Sequence, residues 1–517
     1  MLAKLSPFAG INKDLSVNDL PLGVVTDAGN VRFREGCAEL FLGQIDAYPT
    51  APIAPVSAFP VRIGTGRYWV VLSQNKAYAV TGSPAVWTNI TRQTSSADVD
   101  YAASLDTLWN GGILNGVPIL NNGSDVPQMW SPVGPANKLL ALTAWPASTT
   151  ARVLRTHRYT GFALDVTQGG TRYPHRVLWS HPADPGTVPV SWDVTDATKL
   201  AGQTDVQGAG YLVDALPLRQ ALVIYKENST LLCTFVGGQS VYSFTEIFSS
   251  SGMLSADCAV EVEGSHVVLT SNDVVRHDGT TIQSILDKAT RRWLFKNIDG
   301  AYYDRCFVTR NIYFNEVLVC FPQVGNTACN MALVYNYKDG TTSFRDLPAV
   351  TSGNTGLVDN SVENTIDGRT LPIDAYTNAI DEVEFGAQLE RTMLCAPGRP
   401  ALVLIDSGKQ FFGVNISGFL QRTGISFDAP NQVKTVTRVR PRFFAPIGSV
   451  LVFRLGGHMD IYGDPVWSDP VTFTVGTDTS VDTYASGRFL AYRIESTLAY
   501  SWRLEGLDFE FTPRGGF

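Results

Sequence analysis

Apolar and polar residues alternate along much of this chain in short runs. Clear runs occupy residues 68–72, 221–225, 266–270 and 317–321, and turn-forming residues such as Gln74-Asn75 or Pro322 follow them. Successive side chains of a β-strand point to opposite faces, so a period of two indicates strands that bury one face. The pattern predicts an all-β protein.

One stretch shows helical spacing instead. Residues 284–297 (SILDKATRRWLFKN) place Ile285, Ala289, Trp293 and Lys296 along one face of a helix. We therefore predict a single short helix within a chain of strands.

A larger repeat of paired strands recurs along the chain. Each unit has two strands separated by a Gly or Asn turn, and an aromatic and an acidic residue follow. The units lie at 76–91, 175–195, 229–248, 273–286 and 332–348. A propeller blade has about 40 to 50 residues, so this spacing predicts a β-propeller-like body. Several stacked β-sandwiches give similar short strands and stay open as an alternative.

The pattern changes near the end of the predicted body. Residues from about 359 to 394 are polar, acidic and without strand alternation, whereas alternation returns from 434 to 517 and predicts a small β-sandwich. We therefore divide the chain into an extended N-terminal anchoring segment (1–50), a propeller-like body that ends in the linking stretch (51–394) and a C-terminal β-sandwich module (395–517).

Composition narrows the classes of function. Hydrophobic residues make up 44% of the 517 residues and charged residues 17%, against about 25% charged in an average protein, which indicates a large buried core. The net charge of −8 argues against a protein that mainly holds nucleic acid, since phosphates are bound by lysine and arginine. No apolar run predicts a membrane span or a signal peptide.

Chemically reactive residues show no catalytic or metal-binding spacing. The seven cysteines are scattered without a CxxC pair, and the six histidines form no metal-ligand motif. The glycine clusters precede strands, whereas a phosphate site needs a helix N-terminus. We predict no enzymatic activity, no metal and no cofactor.

Arginines stand out in the predicted sandwich. Seven lie on predicted strands: Arg438, Arg440, Arg442, Arg454, Arg488, Arg493 and Arg503. Arginine is suited to bidentate pairing with carboxylates at interfaces. The row Arg438, Arg440 and Arg442, with Arg488 and Arg493, is therefore a candidate docking surface. Strands that simply carry arginine on a solvent face explain the pattern equally well.

An ordered series of short motifs spans the chain. It begins with Phe8, Gly10-Ile11, Asp14, Leu20-Pro21, the run NVRFREG (30–36) and Gly43; it continues with RYW (67–69), LWS (178–180) and KENS (226–229); and it ends with SGR (486–488), RIES (493–496) and WRLEG (502–506). This series resembles the tail nozzle proteins of short-tailed bacteriophages (podoviruses), also called tail stabilisation or tail tubular protein B-like proteins.

The resemblance implies a structural virion protein of the tail, assembled in the host cytoplasm. It implies a homo-oligomer of about six copies, a homohexameric tube at the distal end of the tail. Such a nozzle closes the DNA channel before infection and lets double-stranded DNA pass during ejection without specific binding. The expected partners are the tail adaptor above it and fibre or needle proteins nearby, with no membrane-spanning segment.

Two hypotheses concern particular residues. Arg32, Phe33, Arg34 and Glu35 place an aromatic between charged residues in a predicted strand, and we expect them to anchor the N-terminal segment against the propeller or a neighbouring subunit. The competing interpretation of the whole chain is a glycan-binding or glycan-hydrolysing propeller that recognises a host receptor. Six tryptophans are candidates for stacking on sugars, namely Trp69, Trp87, Trp109, Trp130, Trp179 and Trp192, although large aromatics more often pack in cores.

Overall fold

The computed structural model describes residues 1–13, 20–64, 66–82, 85–134, 136–238, 240–358, 390–460, 463–498 and 501–516. These residues form a β-propeller-like body and a β-sandwich, so the predicted all-β fold class is confirmed. The chain begins with β1 (Leu2–Leu5), β2 (Asp27–Gly29), β3 (Val31–Arg34), β4 (Cys37–Leu40) and β5 (Gln44–Tyr48).

Four-stranded antiparallel sheets follow one another as the blades of the body. Blade 1 has β6 (Ser57–Ile63), β7 (Gly66–Leu72), β8 (Ala77–Thr81) and β9 (Val86–Asn89), and a small hairpin follows, β10 (Gln93–Thr94) and β11 (Ala97–Asp98). Blade 2 has β12 (Asn110–Leu114), β13 (Val117–Asn121), β14 (Gln128–Met129) and β15 (Leu140–Ala141). Blade 3 has β16 (Thr149–His157), β17 (Thr160–Gln168), β18 (Thr171–Trp179) and β19 (Gly202–Asp205).

The next three blades continue this pattern. Blade 4 has β20 (Leu212–Leu218), β21 (Ala221–Lys226), β22 (Thr230–Phe235) and β23 (Tyr242–Phe248). Blade 5 has β24 (Ala259–Val262), β25 (Ser265–Leu269), β26 (Val274–His277) and β27 (Ile282–Ser284), and the helix α1 (Lys288–Asn297) follows it. Blade 6 has β28 (Phe307–Asn311), β29 (Glu316–Phe321), β30 (Cys329–Asn336) and β31 (Thr342–Val350).

Blade 7 joins distant parts of the chain. It contains β32 (Ser352–Leu357), β33 (Glu390–Cys395) and β34 (Leu402–Ile405), and its fourth strand is β5 from near the N-terminus. Ile405 pairs with Gln44, and Leu402 pairs with Tyr48. Among the described residues the body therefore has seven four-stranded blades, the last of which is completed by an N-terminal strand.

The sandwich has two six-stranded sheets in the described ranges. Its later strands are β35 (Ile416–Ile425), β36 (Gln432–Phe444), β37 (Val450–His458), β38 (Val466–Trp467), β39 (Val471–Thr474), β40 (Val481–Gly487), β41 (Phe489–Leu498) and β42 (Arg503–Gly516). One sheet runs β3-β4-β42-β36-β40, with β1 also paired to β42. The other runs β2-β35-β41-β37-β38, with β39 also paired to β37. Buried side chains such as Leu420, Phe453 and Leu504 fill the space between them.

The predicted boundaries differ from this arrangement. Residues 1–50 do not form a separate segment, since β1 to β4 belong to the sandwich and β5 belongs to blade 7. The predicted sandwich boundary at 395 also falls inside blade 7, at the last residue of β33. Of the predicted linking stretch, 359–389 lies outside the described residues and 390–394 is part of β33. The predicted boundaries are wrong because strands near the N-terminus pair with strands from the later part of the chain. Alternation alone does not reveal such long-range pairing.

The predicted helix is present but begins later than residue 284. Ser284 ends the last strand of blade 5, and Asp287 caps α1 by accepting hydrogen bonds from the backbone N–H groups of Ala289 (3.0 Å) and Thr290 (2.9 Å). Across the described residues, no helix is long and apolar enough to cross a bilayer.

Candidate functional site: the charged joint, the arginine face and the central cavity

Strand β3 lies where the sandwich meets the propeller, and its side chains alternate between the two. Phe33 is 2% exposed and belongs to an apolar core that the sandwich strands share with blades 4 to 6. Arg32 points the other way, towards blades 6 and 7, and is also only 2% exposed. Arg34 lies on the Arg32 side and contacts Glu39 at 3.5 Å. The period of two therefore places the aromatic residue in the apolar core and the arginine in a charged site on the opposite face of β3.

Arg32 enters a buried cluster that we call the charged joint, defined as Arg32, Asn311, Glu316, Arg345 and Asp406. Its Nη2 atom contacts Asp406 Oδ1, and its Nε atom lies 3.5 Å from Glu316 Oε1. Arg345 Nη1 lies 2.8 Å from Asp406 Oδ2, and Asn311 Nδ2 donates to the same oxygen at 2.6 Å. The four charged side chains are each 1–2% exposed. Two guanidinium groups and two carboxyl groups are thus enclosed together.

Aromatic rings complete the surroundings of the two arginines. The Arg32 guanidinium lies 3.6 Å from the ring centre of Phe314 and 4.5 Å from that of Phe41. Arg345 lies 4.8 Å from the same Phe41 ring. Guanidinium groups are attracted to ring faces, most strongly where water is excluded. These rings hold both arginines in place while they shield the cluster from solvent.

Burial and charge act in opposite directions on the two carboxyl groups. Burial raises the pKa of Glu316 to about 7, against the opposing charge of Arg32. Burial also acts to raise the pKa of Asp406, but Arg32 and Arg345 outweigh it and hold that pKa below its usual value. Asp406 is therefore the ionised partner of the arginines at neutral pH.

Hydrogen bonds beside the charged joint connect the same two domains. Asn30 donates its side-chain amide to Asp346 Oδ2 (2.7 Å) and accepts from the Asp346 backbone N–H (2.9 Å). Its own backbone N–H donates to the Phe344 carbonyl at 3.0 Å. The Glu35 backbone N–H donates to Asp339 Oδ2 at 3.1 Å. The residues on either side of β3 therefore form hydrogen bonds with blade 6, in addition to the contacts of Arg32.

A glycine allows the chain to pass from the sandwich into blade 7. Gly43 lies between β4 and β5, and a Cβ atom placed on it would lie 2.4 Å from the Gln410 carbonyl oxygen. Real Cβ atoms do not approach backbone oxygen so closely, so a larger residue would displace this crossing. Gly43 is one of the positions that carry the family resemblance.

Arg438, Arg440 and Arg442 lie on β36 and form what we call the arginine face. Each is paired with a carboxylate on a neighbouring strand of the same sheet: Arg438 with Asp482 (2.6 Å), Arg440 with Glu510 (2.6 Å) and Arg442 with Asp508 (3.1 Å). The arginine side chains are 38–48% exposed. Within one chain, the arginine face is a ladder of cross-strand ion pairs on a solvent-facing sheet.

The other two candidate arginines lie elsewhere. Arg493 is on β41 of the second sheet, where it contacts Glu495 and donates to Gln421 Oε1 at 2.8 Å. Arg488 sits between β40 and β41 and donates to the Pro430 carbonyl at 2.9 Å. The structure therefore does not bring all five arginines into one row.

The blades surround a central cavity of about 630 Å³, lined mainly by residues on or just before the first strand of each blade. Arg155 donates to Asp214 Oδ1 (2.7 Å) and to Asp257 Oδ1 (2.6 Å), so it links blades 3, 4 and 5 at the cavity wall. Burial raises the pKa of Asp257, although Arg155 opposes this. In the described ranges, no group of three His, Cys, Asp or Glu side chains lies close enough to hold a metal ion.

Most of the candidate tryptophans are buried in the body of the protein. Of the six candidates, Trp69, Trp109, Trp130, Trp179 and Trp192 are at most 7% exposed. Trp69 of blade 1 donates its indole N–H to the Leu357 carbonyl of blade 7 at 2.9 Å, and Trp109 before blade 2 donates to Ser73 of blade 1 at 2.8 Å. These rings are therefore not available for stacking on a sugar.

Sequence reasoning placed Arg32 among the candidates but missed its partners. Glu316, Arg345 and Asp406 each stand within or beside an apolar strand, as in EVLVCF, TSFRDLPAV and LVLID. A charged residue in such a run is rarely buried unless it is paired. A charged residue within an apolar strand therefore predicts a buried ion pair, although it does not identify the partner.

Among known proteins, similarity to this chain is found in solved structures at low sequence identity. No family model and no curated protein matches the chain. Among solved structures, the chain is similar to the WD40 β-propeller domain of Doa1, with 8% identity and a TM-score of 0.38 over 71% of this chain and 97% of that domain. It is also similar to Hsv2 of Kluyvelomyces marxianus, with 14% identity and a TM-score of 0.27 over 48% of this chain and 68% of that one.

Proposed function

We propose that this protein is a structural component of a virion that forms the distal nozzle of a short phage tail. Several copies, about six by the family resemblance, assemble into a tube around the DNA path. The tube closes that path before infection and opens for ejection. The tail adaptor above and fibre or needle proteins nearby are its neighbours, and it acts without catalysis.

One observation carries the proposal. The run NVRFREG (30–36), the most specific part of the resemblance, is also the run that fastens the sandwich to the propeller through Arg32, Asn30 and Glu35. A motif with this role belongs to a subunit whose two domains must keep a fixed geometry. A tube wall that holds back packaged DNA requires such a subunit.

Charge is consistent with this role. The chain has a net charge of −8, and an acidic wall repels phosphates and does not retain a passing duplex.

The arginine face is our candidate for the contact between neighbouring subunits. A head-to-tail ring uses two different patches on each chain. Arg440 is 48% exposed on the arginine face, and Tyr484 of β40 in the same sheet is 63% exposed. Glu510 occupies only part of the donor capacity of the Arg440 guanidinium, so an acidic group of the next subunit can share it.

The mass of the purified protein in solution, together with negative-stain images, tests the proposal. We expect rings or short tubes of about six copies with a central opening wide enough for a DNA duplex. Arg440→Glu should weaken assembly more at low than at high salt. Arg172→Glu is the matched control, because Arg172 is also half exposed and ion-paired but lies in blade 3. Compact monomers at every concentration tested, together with release of sugars from host polysaccharide, would favour the glycan-binding alternative.

A further inference from the structure

The two carboxyl groups of the charged joint are unequally partnered. Asp406 accepts from Asn311 Nδ2 at 2.6 Å and contacts both Arg32 and Arg345. Among the described residues, the polar contacts of the Glu316 carboxyl are longer: 3.5 Å to Arg32 Nε and 3.4 Å to the Asn311 amide. The Arg32 Nε atom is buried and has no hydrogen-bond partner, so the contact with Glu316 is not a hydrogen bond. Asp406 is therefore in closer contact with the two arginines than Glu316 is.

The charges around Glu316 come from three separate elements. Arg32 and the more distant Arg34 face it from β3 of the sandwich, Arg345 faces it from β31, and Asp406 faces it from the end of β34. Asp406 is negative and repels an ionised Glu316. The carboxyl is 2% exposed, so water does not compensate. A buried carboxyl in this position is more easily accommodated with its proton bound.

We propose that the charged joint is a proton-operated lock. Glu316 binds a proton as the pH falls towards and below neutrality, and the protonated form holds the sandwich against blades 6 and 7 more tightly than the ionised form does. This inference concerns the joint alone and stands whether or not the protein forms a nozzle.

The sign of the effect follows from proton linkage. The pKa of Glu316 is raised from 4.5 to about 7 with the joint closed, and it returns towards 4.5 when the joint opens and water reaches the carboxyl. The closed form therefore binds more protons than the open form between these two values. The contribution of Glu316 to the stability of the closed form is greatest below about pH 4.5, declines as the pH rises from there, and levels off above about pH 7.

Hydrogen exchange of the β3 region measures the lock directly. The backbone N–H groups of Asn30 and Glu35 donate across the joint to Phe344 and Asp339, so a peptide covering 30–35 reports its opening. After correction for intrinsic exchange rates, we expect this peptide in the full-length protein to lose about tenfold or more in protection between pH 5 and pH 8, relative to β17 in blade 3. This measurement needs no variant.

Glu316→Gln keeps the shape of the protonated carboxyl and cannot ionise. At pH 8 we expect it to protect the 30–35 peptide about tenfold or more better than the wild type does, with the difference vanishing near pH 5. Asp304→Asn is the matched control, because burial also raises the pKa of Asp304, but this residue lines the central cavity. It should exchange like the wild type at β3. Equal protection of wild type and Glu316→Gln at pH 8, or weaker protection in the variant, would overturn the proposal.

Discussion

The charged joint and the arginine face use the same chemistry in opposite surroundings. Both pair arginine with carboxylates, at comparable distances in Arg345–Asp406 (2.8 Å) and Arg440–Glu510 (2.6 Å). The first pair is 1% exposed on each side, and the second is 48% and 33% exposed. The two pairs therefore differ mainly in how far water reaches them.

That difference decides what each group contributes. An exposed pair gains little from its partner, because water already solvates both charges. A buried pair has lost its hydration, so each member depends on the other, and removing one leaves an uncompensated charge. The joint therefore makes the contact between sandwich and propeller sensitive to single substitutions, whereas the arginine face tolerates them within one chain.

Arg32→Met gives the largest expected effect on this comparison. The change leaves Asp406 with one arginine and Glu316 without its contact from the sandwich, so we expect unfolding free energy to fall by about 3–5 kcal/mol. Urea denaturation of the wild type and the variant measures it. The matched exposed change, Arg440→Met, should cost less than about 1 kcal/mol. Equal costs in the two variants would show that burial does not separate the regions.

Asn30→Ala tests how much the hydrogen bonds beside the charged joint contribute to the contact between the sandwich and blade 6. It removes two bonds to Asp346 and places alanine at a φ of 54°, so we expect a loss of about 1–3 kcal/mol. Asn115→Ala is the control, since Asn115 has a φ of 51° and bonds only within the propeller. If β3 exchanges hydrogen no faster in Asn30→Ala than in the control, these bonds do not hold the joint.

Arg440→Gln has the smallest expected effect. It removes one charge from a screened surface ladder, so we expect a loss below about 1 kcal/mol that shrinks further near 1 M salt. Thermal unfolding at low and high salt measures it. A loss that is large and independent of salt would mean that this face is buried in an assembly under the conditions used.

The sequence was sufficient to predict the local features of this fold. Alternation in runs such as 221–225 predicted strands, and the repeat of strand pairs predicted blades. It also placed Phe33 in a strand flanked by charged residues. These features depend on neighbours within a few residues, which is the range over which periodicity carries information.

Features set by distant parts of the chain could not be predicted in the same way. A period of two indicates that Arg32 and Phe33 face opposite sides of the strand, but it does not identify the residues that they contact. Asp406 lies 374 residues from Arg32 in the sequence. The pairing of β5 with blade 7 could not be predicted for the same reason, because a strand edge can pair with any other edge of suitable length.

Because early strands pair with much later ones, the early strands must wait during synthesis until their partners have been made. Glu35 contacts Arg503, which is 468 positions later, and β4 pairs with β42 next to this contact. At about 5–20 residues per second, a ribosome needs roughly half a minute or more to cover that distance. During this time β1 and one edge of β4 lack their partner strand β42, and such edges are open to pairing with other chains. Slow synthesis or crowded polysomes should therefore lower the yield of this protein more than that of a propeller closed by adjacent strands.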